Sequence, residues 1–130
     1  MPAMLMKHDE NPANVIQKKI GNLDKIEIFG NHILLGVYER PKVTKTGIHL
    51  SDATIQEDRY QGKAALVLKK GPTAFVSDRN YDFKGQDVNE GDWVAIFVSD
   101  GRPITINGQL CRIVEDQYIR LRIPAPDLVF

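Results

Sequence analysis

Cysteine, excess charge and long apolar runs are scarce in this sequence, and each scarcity excludes a class of protein. The single cysteine, Cys111, allows no disulfide within the chain and favours a reducing compartment. Seventeen basic residues balance seventeen acidic ones, so no excess positive charge favours nucleic acid or an anionic membrane. No apolar run approaches the roughly 18 residues of a membrane span, and the N-terminus lacks the apolar core of a signal peptide. We therefore predict a cytoplasmic protein that binds neither nucleic acid nor membrane.

Residues suited to catalysis or metal binding are also few. The three histidines, at positions 8, 32 and 49, lack the close spacing of zinc ligands, and no phosphate-binding glycine loop or nucleophile motif is present. Cys111 falls within an apolar run, which favours a buried and inert thiol. The neighbours Glu115 and Asp116 fall on a predicted turn, where we expect both carboxylates to be solvated. We predict no enzyme activity, no metal and no cofactor.

What the sequence does contain is one short helix followed by strands. Its 130 residues match the usual size of a single domain. Asn11-Pro12 predicts a helix start and Gly21 its end. From Lys25 onward the apolar pattern changes to period two. Strands are predicted at residues 32–39, 62–70, 92–98 and 117–123 and on both sides of the Asn107-Gly108 hairpin turn. Trp93 and Phe97 alternate along one of these strands and are expected in the core of a small barrel or sandwich.

A long polar stretch, residues 45–62, contains one apolar pair, Ile48 and Leu50, on either side of His49. Structureless loops of this length are uncommon in compact domains and are usually functional or disordered. Two interpretations remain open from the residues alone. The pair forms a short edge strand with His49 pointing outward, or it is an aliphatic anchor that a loop presents to a partner.

Several motifs, in this order, resemble the GroES-type co-chaperonin family. They are the strand "ILLGVYE", the loop "GIHL", a strand opening at Gly62, the stop at Gly71-Pro72, "VNEGDWVAIF" and "CRIVEDQYI". Together they cover about residues 25–123. The resemblance implies a small all-β fold, an irregular GroES-like β-barrel with a long mobile loop, a roof hairpin and, in this chain, a short N-terminal helix.

The resemblance also implies a function and the residues that serve it. Gly47, Ile48 and Leu50 match the family's loop contacts, so the segment from Gly47 to Leu50 is the predicted chaperonin-binding site, with His49 between the anchors and facing away. The partner would be a GroEL-type chaperonin, which itself binds ATP, and the enclosed clients would be unfolded proteins. Subunits of the family form a heptameric ring in which the first core strand of one pairs with the last of the next. These strands map onto Ile26 through Leu35 and onto Ile119 through Ile123. The predicted interface residues on them are Ile26, Ile28, Ile119, Leu121 and Ile123.

The chain departs from the family at both ends and in two internal segments. We divide it into an N-terminal extension (1–24), the barrel (25–123) with its mobile loop (43–61) and roof insert (73–88), and a C-terminal tail (124–130). The extension, the charged loop and His49 resemble co-chaperonins carried by bacteriophages, which would act in the host cytoplasm. The alternative is a structural protein, a ring- or trimer-forming β-barrel that decorates a virion and uses the loop to hold its neighbour.

Overall fold

The computed structural model describes residues 10–39, 47–49, 51, 63–79, 81–97 and 99–128, and these form one six-stranded antiparallel sheet with a helix packed on it. The elements are α1 (Pro12–Ile20), β1 (His32–Val37), β2 (Ala64–Lys70), β3 (Trp93–Ala95), β4 (Arg102–Ile106), β5 (Gln109–Glu115) and β6 (Leu121–Ile123). Two short 3-10 turns, Asp116–Tyr118 and Pro126–Leu128, complete the set. The strand order is β4-β5-β1-β2-β3-β6, and the prediction of a small all-β fold is confirmed.

The helix begins and ends where the sequence predicts. The Asn11 side chain accepts a hydrogen bond from the Ala13 amide at 2.9 Å, with proline following at the first helical position. At the other end Gly21 has a φ of +78°, which glycine adopts without steric cost. Ile16 and Ile20 are buried one turn apart, so one face of α1 packs on the sheet.

Strand β1 is buried on both faces, which explains its unbroken apolar run. Ile33 and Leu35 point into one cluster with side chains of β2, β3 and β5, whereas Leu34 points to the opposite face. There it meets α1 in a second cluster, whose buried members are Ile16, Ile20, Leu34, Leu66, Leu68 and Cys111. Since successive side chains of a strand alternate between faces, a strand with no polar side requires cover on both. The helix supplies that cover.

Gly36 on β1 lies under the helix, where it makes the close approach possible. A Cβ atom added to this glycine would lie 2.6 Å from Cγ2 of Ile16 and 3.1 Å from Cδ1 of Leu68. Real side chains do not tolerate such contacts, so any larger residue would push α1 outward. This glycine, within the apolar run of β1, is therefore the contact point of the helix.

The β4–β5 hairpin is confirmed at the predicted turn. Asn107 and Gly108 have φ values of +50° and +79°, the backbone conformation that a two-residue type I′ turn requires at both positions. Ile106 pairs with Gln109 immediately beside the turn, and the ladder continues to Arg102 opposite Ile113. Asparagine and glycine are the residues that adopt this conformation most readily.

The strand predicted over 92–98 is shorter in the structure, and the expectation that Phe97 lies in the core is wrong. Strand β3 ends at Ala95, so the alternation that would have turned Phe97 inward stops two residues before it. The Phe97 ring is 60% exposed, and the Arg120 guanidinium lies 4.8 Å from its centroid. Trp93 is half-buried and packs edge-on against Tyr38 at 5.8 Å.

The described part of the insert, residues 73–79 and 81–88, reverses direction like a hairpin. Its two halves are joined by a few hydrogen bonds and a ring contact rather than by a β-ladder. Asp78 donates its amide to the Tyr81 carbonyl at 2.9 Å, and the Ser77 hydroxyl accepts from the Phe83 amide at 3.0 Å. Phe75 and Phe83 meet edge-on at 5.4 Å. The predicted mobile loop, 43–61, lies outside the described residues except at positions 47–49 and 51, as do residues 1–9 of the extension and 129–130 of the tail.

Candidate functional site

Three of the four predicted chaperonin-binding residues lie in the described part of the chain. Gly47 has a φ of +90°, in the region that favours glycine, and Ile48 beside it is 58% exposed. His49 is exposed and makes a single β-bridge, with no strand assigned at 47–49. Leu50 lies outside the described residues. A largely exposed isoleucine retains most of its apolar surface for a partner, and complete burial of such a side chain contributes about 1.5–3 kcal/mol.

The predicted subunit-interface residues of the C-terminal strand are divided between core and surface. Ile123 is buried in a cluster with Tyr38 and Ala64, and Ile119 packs against the main core. Leu121 is 52% exposed. Strand β6 pairs through one edge with β3, opposite Trp93, Val94 and Ala95, and its other edge faces no strand of the described chain. An unpaired edge presents backbone donors and acceptors to another chain.

The N-terminal interface segment is not a strand within this subunit, although its period-two pattern predicts one. Ile26 and Ile28 are half-buried, and Ile28 packs against the cluster under α1. The backbone groups of Glu27 and Ile28 make no hydrogen bond to any residue that the structure describes. The extension of this predicted interface strand to Leu35 is wrong, because β1 pairs with β2 and with β5 of its own subunit and leaves no free edge.

Asp116 is buried and forms a junction that the sequence did not indicate. The expectation that it is solvated is wrong, since only 3% of the residue is exposed. Its carboxylate accepts hydrogen bonds from the Asn31 side-chain amide at 3.1 Å and from the Phe75 amide at 2.9 Å. Its own amide donates to the Asn31 carbonyl at 3.1 Å. This one side chain joins the end of β5 to the turn before β1 and to the insert, whereas its neighbour Glu115 remains partly exposed.

The other polar groups of the described residues offer no catalytic arrangement. Asp87 pairs with Lys70 at 3.0 Å and Asp92 pairs with Arg122 at 3.2 Å, both at the surface. No group of three His, Cys, Asp or Glu side chains that could hold a metal ion occurs in the part of the chain that the structure describes. Within the same residues no helix has the length and apolarity to cross a membrane.

Cys111 is buried, and burial raises the pKa of its thiol to about 11. About one thiol in a thousand is then ionised near pH 8, and the thiolate is the reactive form. We expect thiol reagents to modify the folded chain only as fast as it unfolds. Because the unfolded thiol ionises near 9.0, the free energy of unfolding should fall between about pH 9 and 11 relative to Cys111→Ala. Rapid labelling of the folded protein near pH 8 would contradict this expectation.

The described residues form a small all-β protein that exposes an aliphatic side chain beside a glycine and leaves several backbone edges without a strand partner, among them the outer edge of β6. The chain is 32% identical over 95 residues to a protein named Co-chaperonin GroES from Caldicellulosiruptor saccharolyticus, which covers 73% of this chain and 93% of the relative. The Co-chaperonin GroES of Caldicellulosiruptor bescii matches with the same identity and coverage. No family model matches the chain. The chain belongs to the GroES co-chaperonin family.

Proposed function

We propose that this protein is a co-chaperonin that assembles into a ring and caps a GroEL-type chaperonin, so that unfolded client proteins are enclosed. The observation that carries the proposal is the exposed Ile48 beside Gly47, in a chain that matches 93% of the length of two co-chaperonins. Ile48 and Leu50 are the proposed anchors, and the imidazole of His49 is proposed to face away from the groove that receives them.

The proposed mechanism is multivalent binding through weak anchors. One isoleucine and one leucine contribute about 3–6 kcal/mol on full burial. Ordering the segment that carries them consumes part of that free energy. A single subunit would therefore bind weakly, whereas several subunits joined in a ring bind strongly because each attached anchor raises the effective concentration of the next. Weak individual anchors also allow the cap to be released.

Ring assembly is proposed to use two of the unpaired edges. The Ile26–Ile28 segment of one subunit pairs with β6 of the next, around Leu121, and repetition of this heterologous contact closes a heptamer. The open backbone of Glu27 and Ile28 and the single-sided pairing of β6 support this arrangement. Ile119 and Ile123 would support the edge from beneath, since both pack on the core.

The remaining assignments follow from the proposed role. Residues 25–123 form the co-chaperonin unit, which works in the cytoplasm and catalyses no reaction. It holds no cofactor, because ATP is bound by the chaperonin. The N-terminal helix and the divergent insert support a bacteriophage-encoded member that acts on the chaperonin of its host. The alternative role, a virion decoration protein, is not favoured, since both curated relatives are named co-chaperonins.

Capture on an immobilised GroEL-type chaperonin tests the proposal. We expect the full chain to be retained when ATP or ADP is present and to be lost when nucleotide is removed. A synthetic peptide of residues 43–61 should compete with this capture, and the same peptide with aspartate at position 48 should not. Absence of capture at subunit concentrations of tens of micromolar, with nucleotide present, would refute the proposed function.

A further inference from the structure

The N-terminal helix is attached to the sheet at several points along its length and beyond its end. Its buried face, Ile16 and Ile20, covers the outer cluster, and Gly36 provides the space for this contact. The side chain of Asn107, in the β4–β5 turn, donates to the Ile20 carbonyl at 2.7 Å. The last carbonyls of a helix have no partner within it, so this bond caps the C-terminus of α1. The helix is thereby fixed to the hairpin as well as to the sheet.

Lys69 fixes the connector that follows the helix. Its ammonium group projects from β2 and donates to the Leu23 carbonyl at 2.8 Å and to the Ile26 carbonyl at 2.5 Å. Hydrogen bonds from a charged donor are stronger than those between neutral groups. The connector is further folded by the Ile26 amide, which donates to the Leu23 carbonyl at 3.0 Å. The backbone is therefore held up to residue 26, directly before the open groups of Glu27 and Ile28.

The N-terminal segment and the outer edge of β6 are two of the unpaired edges of the described residues, and they match each other in apolar pattern. The N-terminal segment reads Ile26-Glu27-Ile28, and β6 reads Leu121-Arg122-Ile123. Each has a charged residue between two aliphatic ones, and the two central charges are opposite. Within its own subunit Arg122 pairs with Asp92 at 3.2 Å, and Arg120, one position before β6, pairs with Asp100 at 3.1 Å, so part of the charge of this edge is already balanced. The shared pattern of two aliphatic residues around a charged one therefore carries the comparison. On this pattern we take a second copy of the chain as the occupant of the N-terminal edge.

We propose that α1, its connector, Lys69 and Asn107 form an assembly brace, which holds the Ile26–Ile28 edge in place on its own subunit so that β6 of a second copy can pair with it. The proposal rests on the ring assembly proposed above and assigns a role to the N-terminal extension. A segment that is ordered before association loses less conformational entropy when the copies meet. Lys69 and Asn107 are positioning residues in this scheme, since both act through the backbone that they hold.

Two variants remove the brace at separate points, and a third serves as a matched control. Lys69→Met deletes both bonds to the connector. Asn107→Gly deletes the helix cap but retains a residue that tolerates the positive φ of the turn. The control is Lys70→Met, the same substitution at the next position of β2, where the lysine pairs with Asp87 at the surface. All three are made in the full-length chain.

Analytical ultracentrifugation over a concentration series measures the association of each variant. We expect the subunit concentration at half-dissociation to rise at least about tenfold in Lys69→Met and in Asn107→Gly, and less than about twofold in Lys70→Met. Near-ultraviolet circular dichroism of Trp93 should remain that of the wild type in all three. Hydrogen exchange at the Ile26 amide of dissociated subunits, which donates to the Leu23 carbonyl, should accelerate only in the first two.

The outcomes separate the brace from the proposed function. If both variants associate within twofold of the control, the brace is refuted while the ring remains. If Lys69→Met fails to fold, the association of Asn107→Gly is compared with that of Lys70→Met, and a difference below twofold refutes the brace. If the wild type is monomeric at every concentration, the ring and the brace both fail, and competition by the 43–61 peptide still reports on chaperonin binding.

Discussion

Ile48→Asp is expected to weaken capture by a GroEL-type chaperonin at least about a hundredfold, with a change in the free energy of unfolding below about 0.5 kcal/mol. Ile48 is 58% exposed, so the fold gains little from its side chain. The carboxylate of an aspartate at position 48 would have to lose its hydration beside an apolar groove. The free energy of this desolvation exceeds the free energy that burial of the isoleucine contributes. In a ring, every subunit carries the substitution, so this loss of binding free energy is repeated at each one. Capture on immobilised chaperonin and urea unfolding measure the two quantities.

Val76→Asp is the matched control for this experiment. Val76 lies in the insert and is 57% exposed, so the two variants introduce the same charge at aliphatic positions of almost equal exposure. Capture of the Val76 variant should stay within about threefold of the wild type. If Ile48→Asp instead unfolds the protein, Ile48 belongs to an edge strand and the anchor interpretation is wrong.

Asp116→Ala is expected to lower the free energy of unfolding by about 2–4 kcal/mol, a large part of the roughly 5–15 kcal/mol that stabilises a domain. The alanine leaves the Phe75 amide and the Asn31 side-chain amide without the carboxylate that accepts from both. A buried donor without a partner costs its full desolvation free energy. The loss should appear as a lower midpoint of urea unfolding with an unchanged slope.

Glu115→Ala tests whether this loss depends on burial rather than on charge. The two carboxylates are adjacent, yet Glu115 is partly exposed at the end of β5, and its removal should cost less than about 0.5 kcal/mol. Equal effects of the two substitutions would show that the Asp116 junction contributes nothing specific to stability. Hydrogen exchange compares the same two variants within the insert. Only Asp116→Ala should increase exchange at the Phe75 amide, which donates to the Asp116 carboxylate.

The parts of the fold that the sequence predicted are those governed by local backbone chemistry. The start of α1 at Asn11-Pro12 and the turn at Asn107-Gly108 depend on one or two residues whose conformational preferences are strong. The apolar run of residues 32–39 likewise predicts a strand, which the structure has at His32–Val37. In each case the property that determines the structure lies within a few residues of the element itself.

The features that the sequence did not predict depend on contacts between distant segments. Asp116 is buried because Asn31 and Phe75 approach it, and neither is near it in the chain. Phe97 is exposed because β3 ends at Ala95, which no local breaker indicates. Lys69 appears as an ordinary polar residue of a strand, and its two bonds to the connector are visible only once α1 is docked. Tertiary context overrides local preference at all three.

The proposed anchor is indicated by the sequence for a different reason. A side chain that serves a partner contributes little to its own fold, and Ile48 is an exposed aliphatic residue in polar surroundings. The proposed interface residues are harder to assign, because Ile123 also packs in the core. Apolar periodicity indicates that a side chain will be buried and does not indicate whether its own subunit or the next one buries it.

The bond between Asn107 and the end of α1 joins residues 87 positions apart and has a consequence for biosynthesis. The helix leaves the ribosome before the hairpin that caps it, because β1, β2 and β3 lie between them in the chain. With only nine residues, α1 is too short to persist alone in water. Its apolar face therefore stays uncovered until β1 and β2, which receive it, have been made, a period in which nascent-chain chaperones can bind it. Synthesis of the hairpin then caps the helix, so this protein, itself proposed to assist folding, fixes its own helix only after three further strands have followed it.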